Sequence, residues 1–510
     1  MDVKQRAVRR VSVGVLATGS SFVIGTATTL LLLPLYLRAW STVMYGEWLA
    51  LSGLLYYLQN CDFGLTAAAL NAATMSYARR DRSEFERVSD TAWGISLTVS
   101  SVAFLGVVFA AYRLPIAEWL RLKSLSPTDV RWMTILLAGG FLLTLPTAQL
   151  RNAFAATGRF PVYQWLWNIA AIQGAIVTAV QLVAKQPPVL IAAGAFASQL
   201  LAMLTTVVSL RLFDRSLLPR LSGMDRKTVL VLLKPSAFFG LATLSTSIQL
   251  QVPVLLISRG LGGTAVALFT SARTICNLLK QIPLLVQLPL SRELSSLAGK
   301  KQETELRQVH RAFMAVTLLI GVTTLAAIYT QGPWLVGLWS HGHLQVDPLM
   351  FRVLALSIFL EGNVYAWAAT ALAKNENGGV SNIQFASAVV MSVLTALLLP
   401  QVRLLAAPVA MLSVILFLGA PLLLREVVGR NGLSWSWAWK NMVLPTALGV
   451  MLVLLVCTGL LSWADISDLL MAIIAGAICF GATALFTLAF LVSGEERLII
   501  RGVFRRIVPA

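Results

Sequence analysis

The sequence predicts an all-α polytopic membrane protein of about 14 transmembrane helices, arranged as two parallel six-helix lobes with pseudo-two-fold symmetry plus two C-terminal helices. Three observations carry this. The chain is 57% hydrophobic and only 12% charged, with a mean hydropathy of +0.78, against about a quarter charged for soluble domains. Apolar segments long enough to cross ~30 Å of hydrocarbon follow one another over the whole length. A weak self-similarity recurs at an offset of about 220 residues, as in transporters built from repeats.

In order, the spans fall near 11–37, 43–75, 85–112, 128–156, 160–184, 187–212, 228–258, 264–297, 305–330, 347–373, 378–400, 402–424, 440–463 and 467–493. The connections are too short for a soluble domain. The first apolar run is too long for a signal peptide and no small-residue cleavage site follows it, so it counts as the first helix.

The net charge of +18 is first a matter of topology. With the N-terminus inside, 29 of the 40 basic residues lie on one side of the membrane and nine on the other. The inner set includes Arg79, Arg80, Arg82, Arg87, Arg151, Lys300, Lys301, Arg307, Arg311 and the tail from Arg497. This asymmetry places both termini in the cytoplasm and removes any need to invoke nucleic acid. Arg273 and Lys280 belong to neither side.

The cysteines Cys61, Cys276, Cys457 and Cys479 lie within apolar spans, with no metal-ligand spacing. His341 and His343, beside Trp334 and Trp339, read as an external interfacial loop, and His310 as solvated. There is no P-loop, HExxH or GxSxG, so neither an enzyme nor a metal or cofactor is expected. A membrane-bound polymerase or transferase, with His341-Gly342-His343 as its external candidate, is the alternative of another class.

The repeat sets the domains. Ala78–Ala92 aligns without gaps on Ala298–Ala312, the stretch from Pro34 on that from Pro253, and the stretch from Ala153 on that from Ala371. An even number of helices per unit makes the repeats parallel, related by an axis along the membrane normal. The expected divisions are 1–212 (N-terminal lobe), 213–227 (cytoplasmic linker), 228–428 (C-terminal lobe) and 429–510 (two further helices and a basic tail).

Polar residues inside spans locate the site. In the eighth span Arg273, Asn277, Lys280, Gln287 and Ser291 recur at helical spacing, so they share one face. Arg273 sits about nine residues in, or ~13 Å deep. A cation there costs ~2.5–3.5 kcal/mol unless it faces a polar cavity. Such a cavity selects anions. The repeat matches this stripe to Gly53, Tyr57, Asn60, Gly64 and Asn71 of the second span. It pairs Thr18, Ser21, Gly25 and Thr29 of the first span with Thr243, Ser247 and Gln251 of the seventh. Each hydroxyl alone is better explained by helix bonding, whereas four helices in two symmetric polar pairs point to a shared cavity. The substrate-binding set is therefore Arg273, Lys280, Asn277, Asn60, Tyr57, Gln251 and Ser247. Glu361, with Asn363 and Tyr365 near it, is either a proton carrier or the partner of a cavity cation. Asp62 reads as structural.

The stretch Leu30–Asp81 resembles the polysaccharide transporters of the MOP flippase superfamily. The likeness lies in the PLYLR helix end (Pro34–Arg38), the YGEW entry to the second helix (Tyr45–Trp48), the DFGL turn (Asp62–Leu65) and the ARRD elbow (Ala78–Asp81). The resemblance implies a MATE-like fold and a Wzx-like flippase in the bacterial inner membrane. It would move undecaprenyl-diphosphate-linked oligosaccharide repeat units, of the O-antigen, lipopolysaccharide or exopolysaccharide kind, by alternating access. Its implied partners are that lipid-linked oligosaccharide, the bilayer, and a polysaccharide polymerase with its chain-length machinery. Arg273 would offer a planar fork to phosphate oxygens and Lys280 a mobile charge. A lipid II flippase and a multidrug exporter of the same superfamily are the near alternatives. The exporter would want acids where this chain has cations.

Overall fold

The computed structural model describes residues 3–283, 294, 303–373, 377–431 and 433–463, with isolated positions between 477 and 485. Outside the described residues lie almost all of the span expected at 467–493, the basic tail, Gln287, Ser291, Cys479, the Lys300–Lys301 elbow and the side chain of Thr18. Among the described residues, ten helices are long and apolar enough to cross a membrane. The protein is an all-α, multi-pass membrane protein. By compactness the chain divides into two units, residues 1–267 and 268–510.

The first unit begins with α1 (Val3–Ala39), α2 (Thr42–Tyr56) and α3 (Leu65–Ala78), followed by α4 (Arg82–Arg113) and α5 (Pro127–Ala156). It continues with α6 (Phe160–Val183), α7 (Pro188–Asp214) and α8 (Arg226–Leu261). α5 is the central helix, packed against α2, α3, α4 and α7. Its Met133, Ala138, Leu142, Leu150 and Phe154 are fully enclosed, which at about 1.5–3 kcal/mol per large apolar side chain makes it the main apolar contributor here. The expected second span is two helices. It breaks at a 3-10 turn (Tyr57–Asn60), after which Phe63 and Gly64 take left-handed φ of 47° and 80°.

The residues of the transporter-like stretch act as joints. At Gly46 an added Cβ would fall 1.7 Å from the carbonyl oxygen of Gly263, so only glycine admits that backbone. Glu47, 1% exposed, accepts the backbone N–H groups of Lys123 and Ser124 at 2.6 and 3.0 Å. Trp48 packs in an aromatic cluster with Tyr36 and Trp40. Asp62 accepts the N–H groups of Gly64 and Thr66 and the Thr66 hydroxyl, which starts α3. Asp81 caps α4 by accepting from Glu84 N–H and Ser83 Oγ, and those bonds hold its carboxyl below the usual range. The 213–227 connection is pinned to α4. Asp90 accepts Arg220 N–H at 2.8 Å, and Thr91 Oγ1 accepts Asp225 N–H at 3.0 Å.

The second unit holds most of α9 (Gly263–Cys276), then α10 (Glu303–Trp339) and α11 (Pro348–Ala366). α12 (Asn377–Val402), α13 (Ala406–Val414), α14 (Ala420–Asn431) and α15 (Leu444–Trp463) follow. α10 and α11 run antiparallel with rings seated on glycines. An added Cβ at Gly332 would meet the Phe351 ring at 1.9 Å, and one at Gly321 the Phe359 ring at 2.8 Å. α12 turns back onto α13 at Arg403, whose φ is 50°.

Candidate functional site: a charged cavity in the second unit

α9 ends at Cys276, and the chain turns once at Asn277 before resuming as helix over 278–283. Asn277 O still accepts Lys280 N–H at 3.0 Å and Gln281 N–H at 3.1 Å, so the break bends the segment without leaving those donors bare. Beyond it, Lys280 enters a cavity of 260 Å³ whose polar lining includes Gln281, Thr317, Glu361, Asn363, Tyr365 and Gln384. Lys280 Nζ lies 2.5 Å from Glu361 Oε2, the two side chains being 35% and 11% exposed. Gly362 makes the approach possible, because a Cβ there would stand 3.3 Å from the Lys280 stem.

Of the cationic stripe expected from the sequence, Lys280 meets an acid. Lys280 and Glu361 compensate one another, and among the described residues the lining carries one charge of each sign. Of the two roles open to Glu361, partnership with a cavity cation is the one whose geometry is present. Arg273, two turns earlier, does not line this cavity. Its guanidinium lies over the Phe269 ring, 5.4 Å from the centroid. That contact is worth about 0.5–2 kcal/mol and keeps the cation next to a polarisable face.

In the first unit a second polar cluster forms across α2 and α8. Asn60 Nδ2 donates to Ser247 Oγ at 2.7 Å, and Gln251 Oε1 lies over Gly53, where a Cβ would come within 2.8 Å. The Tyr57 hydroxyl is buried there and has no protein partner among the described residues. Four of the sequence-selected residues thus come from two segments, Tyr57 and Asn60 from the 3-10 turn after α2, and Ser247 and Gln251 from α8.

Other readings change. Ser21 donates to Asn168 Oδ1 at 2.5 Å and accepts from Gln164 Nε2 at 2.6 Å, so it bonds α1 to α6 instead of facing a cavity. His310 is not solvated. It is 1% exposed and set against the backbone of Ala366 and Trp367. Its helical face, one turn from Phe313 and Met314, is the buried one. Arg151, counted with loop cations, is 4% exposed and stacks on Trp167 with 4.5 Å to the ring centroid. Sequence reasoning passed over Gln384 and Thr317. The signal was there for Gln384, an amide in an apolar helix two residues after Asn382 and between Ser381 and Ser387.

A family profile described as "Polysaccharide biosynthesis protein" matches residues 13–288. No curated protein matches the chain significantly. Among solved structures, an inward-facing multidrug resistance MATE family transporter of the MOP superfamily is similar at 16% identity and a TM-score of 0.62. It covers 80% of this chain and 96% of its own. A MATE structure in complex with MaD3S has 15% identity and a TM-score of 0.58, covering 84% and 96%. The lipid II flippase MurJ, in an inward closed conformation, has 12% identity and a TM-score of 0.63, covering 92% and 97%. At these identities the likeness is one of fold. The profile spans more than half of the chain, its matched stretch includes Lys280 and the joints at Gly46, Glu47 and Asp62, and the chain belongs to the polysaccharide biosynthesis protein family.

Proposed function

We propose that the protein is a flippase of the bacterial inner membrane that moves a saccharide linked through a diphosphate to a polyprenyl lipid. The observation that carries this reading is the Lys280–Glu361 pair in a polar cavity within a membrane-spanning unit. Ions at that depth are retained where they do work on a substrate or a proton. A diphosphate competes with Glu361 for the Lys280 ammonium, and Glu361 is the residue of this reading that would couple transport to a proton. Gln281, Gln384, Asn363 and Tyr365 supply the hydrogen bonds that sugars need. Arg273 and Asn277 in the second unit and Tyr57, Asn60, Ser247 and Gln251 in the first are the further substrate-binding residues of this reading, in which transport proceeds by alternating access of the lobes 1–212 and 228–428. The termini are cytoplasmic.

The family description supports a polysaccharide precursor as the cargo, and the O-antigen-type repeat unit is the specific reading. Lipid II transport is the second reading, supported by the 97% coverage of the flippase MurJ. Both share the diphosphate-linked saccharide. The acid beside Lys280 also weakens the argument against a cation exporter. The test expresses wild type and the Arg273→Ala, Lys280→Ala double variant in a strain lacking its own O-antigen flippase. Wild type is expected to restore surface polysaccharide and the double variant to leave the precursor in the inner leaflet at equal protein level. Complementation of a lipid II flippase deletion instead would move the assignment to the second reading. Resistance to organic cations without either rescue would move it to the exporter.

A further inference from the structure

A second cavity, of 160 Å³, lies in the same unit between the N-terminal part of α10, the C-terminal end of α11 and the 440–446 segment that starts α15. It holds room for about five waters. Arg311 and Lys440 line it, and among the described residues no acid does. Asn363 lines it too, and also lines the Lys280–Glu361 cavity. Asn363 is 4% exposed, and its Nδ2 is buried with no partner among the described residues. A buried amide donor left unbonded costs about 1–3 kcal/mol, so an acceptor is wanted there. The neighbouring Asn441 Nδ2 donates to Trp437 O at 2.7 Å. Two cations and an amide line one space, and the ligand they fit is an oxyanion.

The surroundings point to which oxyanion. Trp435 and Trp439, both 59% exposed, flank Lys440 in the manner of residues at headgroup level. Apolar Met314, Leu318 and Pro445 form the remaining wall. A basic pocket between membrane helices at the cytoplasmic face is a headgroup site. We infer that this cavity, between Arg311, Lys440 and Asn363, binds the phosphate of an anionic membrane lipid. Through Asn363 that phosphate sits next to the charge pair, so lipid composition reaches the transport cavity by one side chain.

The test uses the full chain purified in detergent, with retained lipid counted by native mass spectrometry while phosphatidylglycerol or phosphatidylcholine is titrated. Wild type is expected to hold one phosphatidylglycerol at least tenfold more tightly than phosphatidylcholine. The Arg311→Gln, Lys440→Gln double variant is expected to lose that preference, at about tenfold for each charge-assisted bond. Lys440 is exposed, so Lys440→Gln alone keeps the fold and is expected to show the loss for one bond. Equal phosphatidylglycerol affinity in wild type and Lys440→Gln would overturn the proposal. Displacement of the lipid by inorganic pyrophosphate at matched concentration would overturn the lipid assignment in favour of a soluble anion. The readout is lipid retention, so loss of polysaccharide export in the Lys280 variants leaves it unaffected.

Discussion

Lys280 and Glu361 come from helices eighty residues apart in sequence and meet at 2.5 Å in a cavity that also holds Asn363 and Tyr365. Removing either partner leaves an ion without its counter-charge in low dielectric. Lys280→Ala or Glu361→Ala should therefore each cost about 1–3 kcal/mol, below the loss for a fully buried pair because a third of the Lys280 side chain meets solvent. The double variant should be closer to wild type than either single one. Thermal unfolding of the four proteins in one detergent checks this. Glu361→Gln should keep the fold and reduce transport.

Arg273 lies over Phe269 and outside that cavity, so its contribution should be graded by chemistry. Arg273→Lys keeps the charge and loses the planar fork, and should support an intermediate level of surface polysaccharide. Arg273→Ala should abolish it at unchanged membrane protein level. Full export by Arg273→Ala would remove this residue from the path.

The contact of Gly46 with the Gly263 carbonyl leaves no room for a methyl group. Gly46→Ala should cost at least about 1–3 kcal/mol, because the obstructing atom is backbone and cannot swing aside. Gly25, with nothing within 4 Å of its ideal Cβ, is the control. Gly25→Ala should be neutral or slightly stabilising, by helix propensity. Membrane protein yield and thermal stability distinguish the two.

The Arg79–Arg87 elbow carries exposed Arg80 and Arg87 beside the capping Asp81. Cysteines at positions 80 and 87, in a background without other cysteines, should resist an impermeant maleimide in intact cells and react after permeabilisation. Labelling in intact cells would reverse the topology.

The sequence by itself determined what depends on local composition. Apolar length set the membrane class and most helix bounds, since hydrocarbon thickness admits few alternatives. The structural reading of Asp62 and the elbow at Asp81 are local too, since each carboxylate accepts N–H groups two to four residues on. Cations out of place in a span singled out Lys280. Only the tertiary structure decided which charge Lys280 meets, because Glu361 and Lys280 share no local pattern. It also decided that Ser21 bonds Asn168, that His310 is enclosed, and that Glu47 satisfies a distant loop backbone at Lys123 and Ser124. Each is a contact between segments far apart in the chain, and helical periodicity names a residue's face without naming what packs against it.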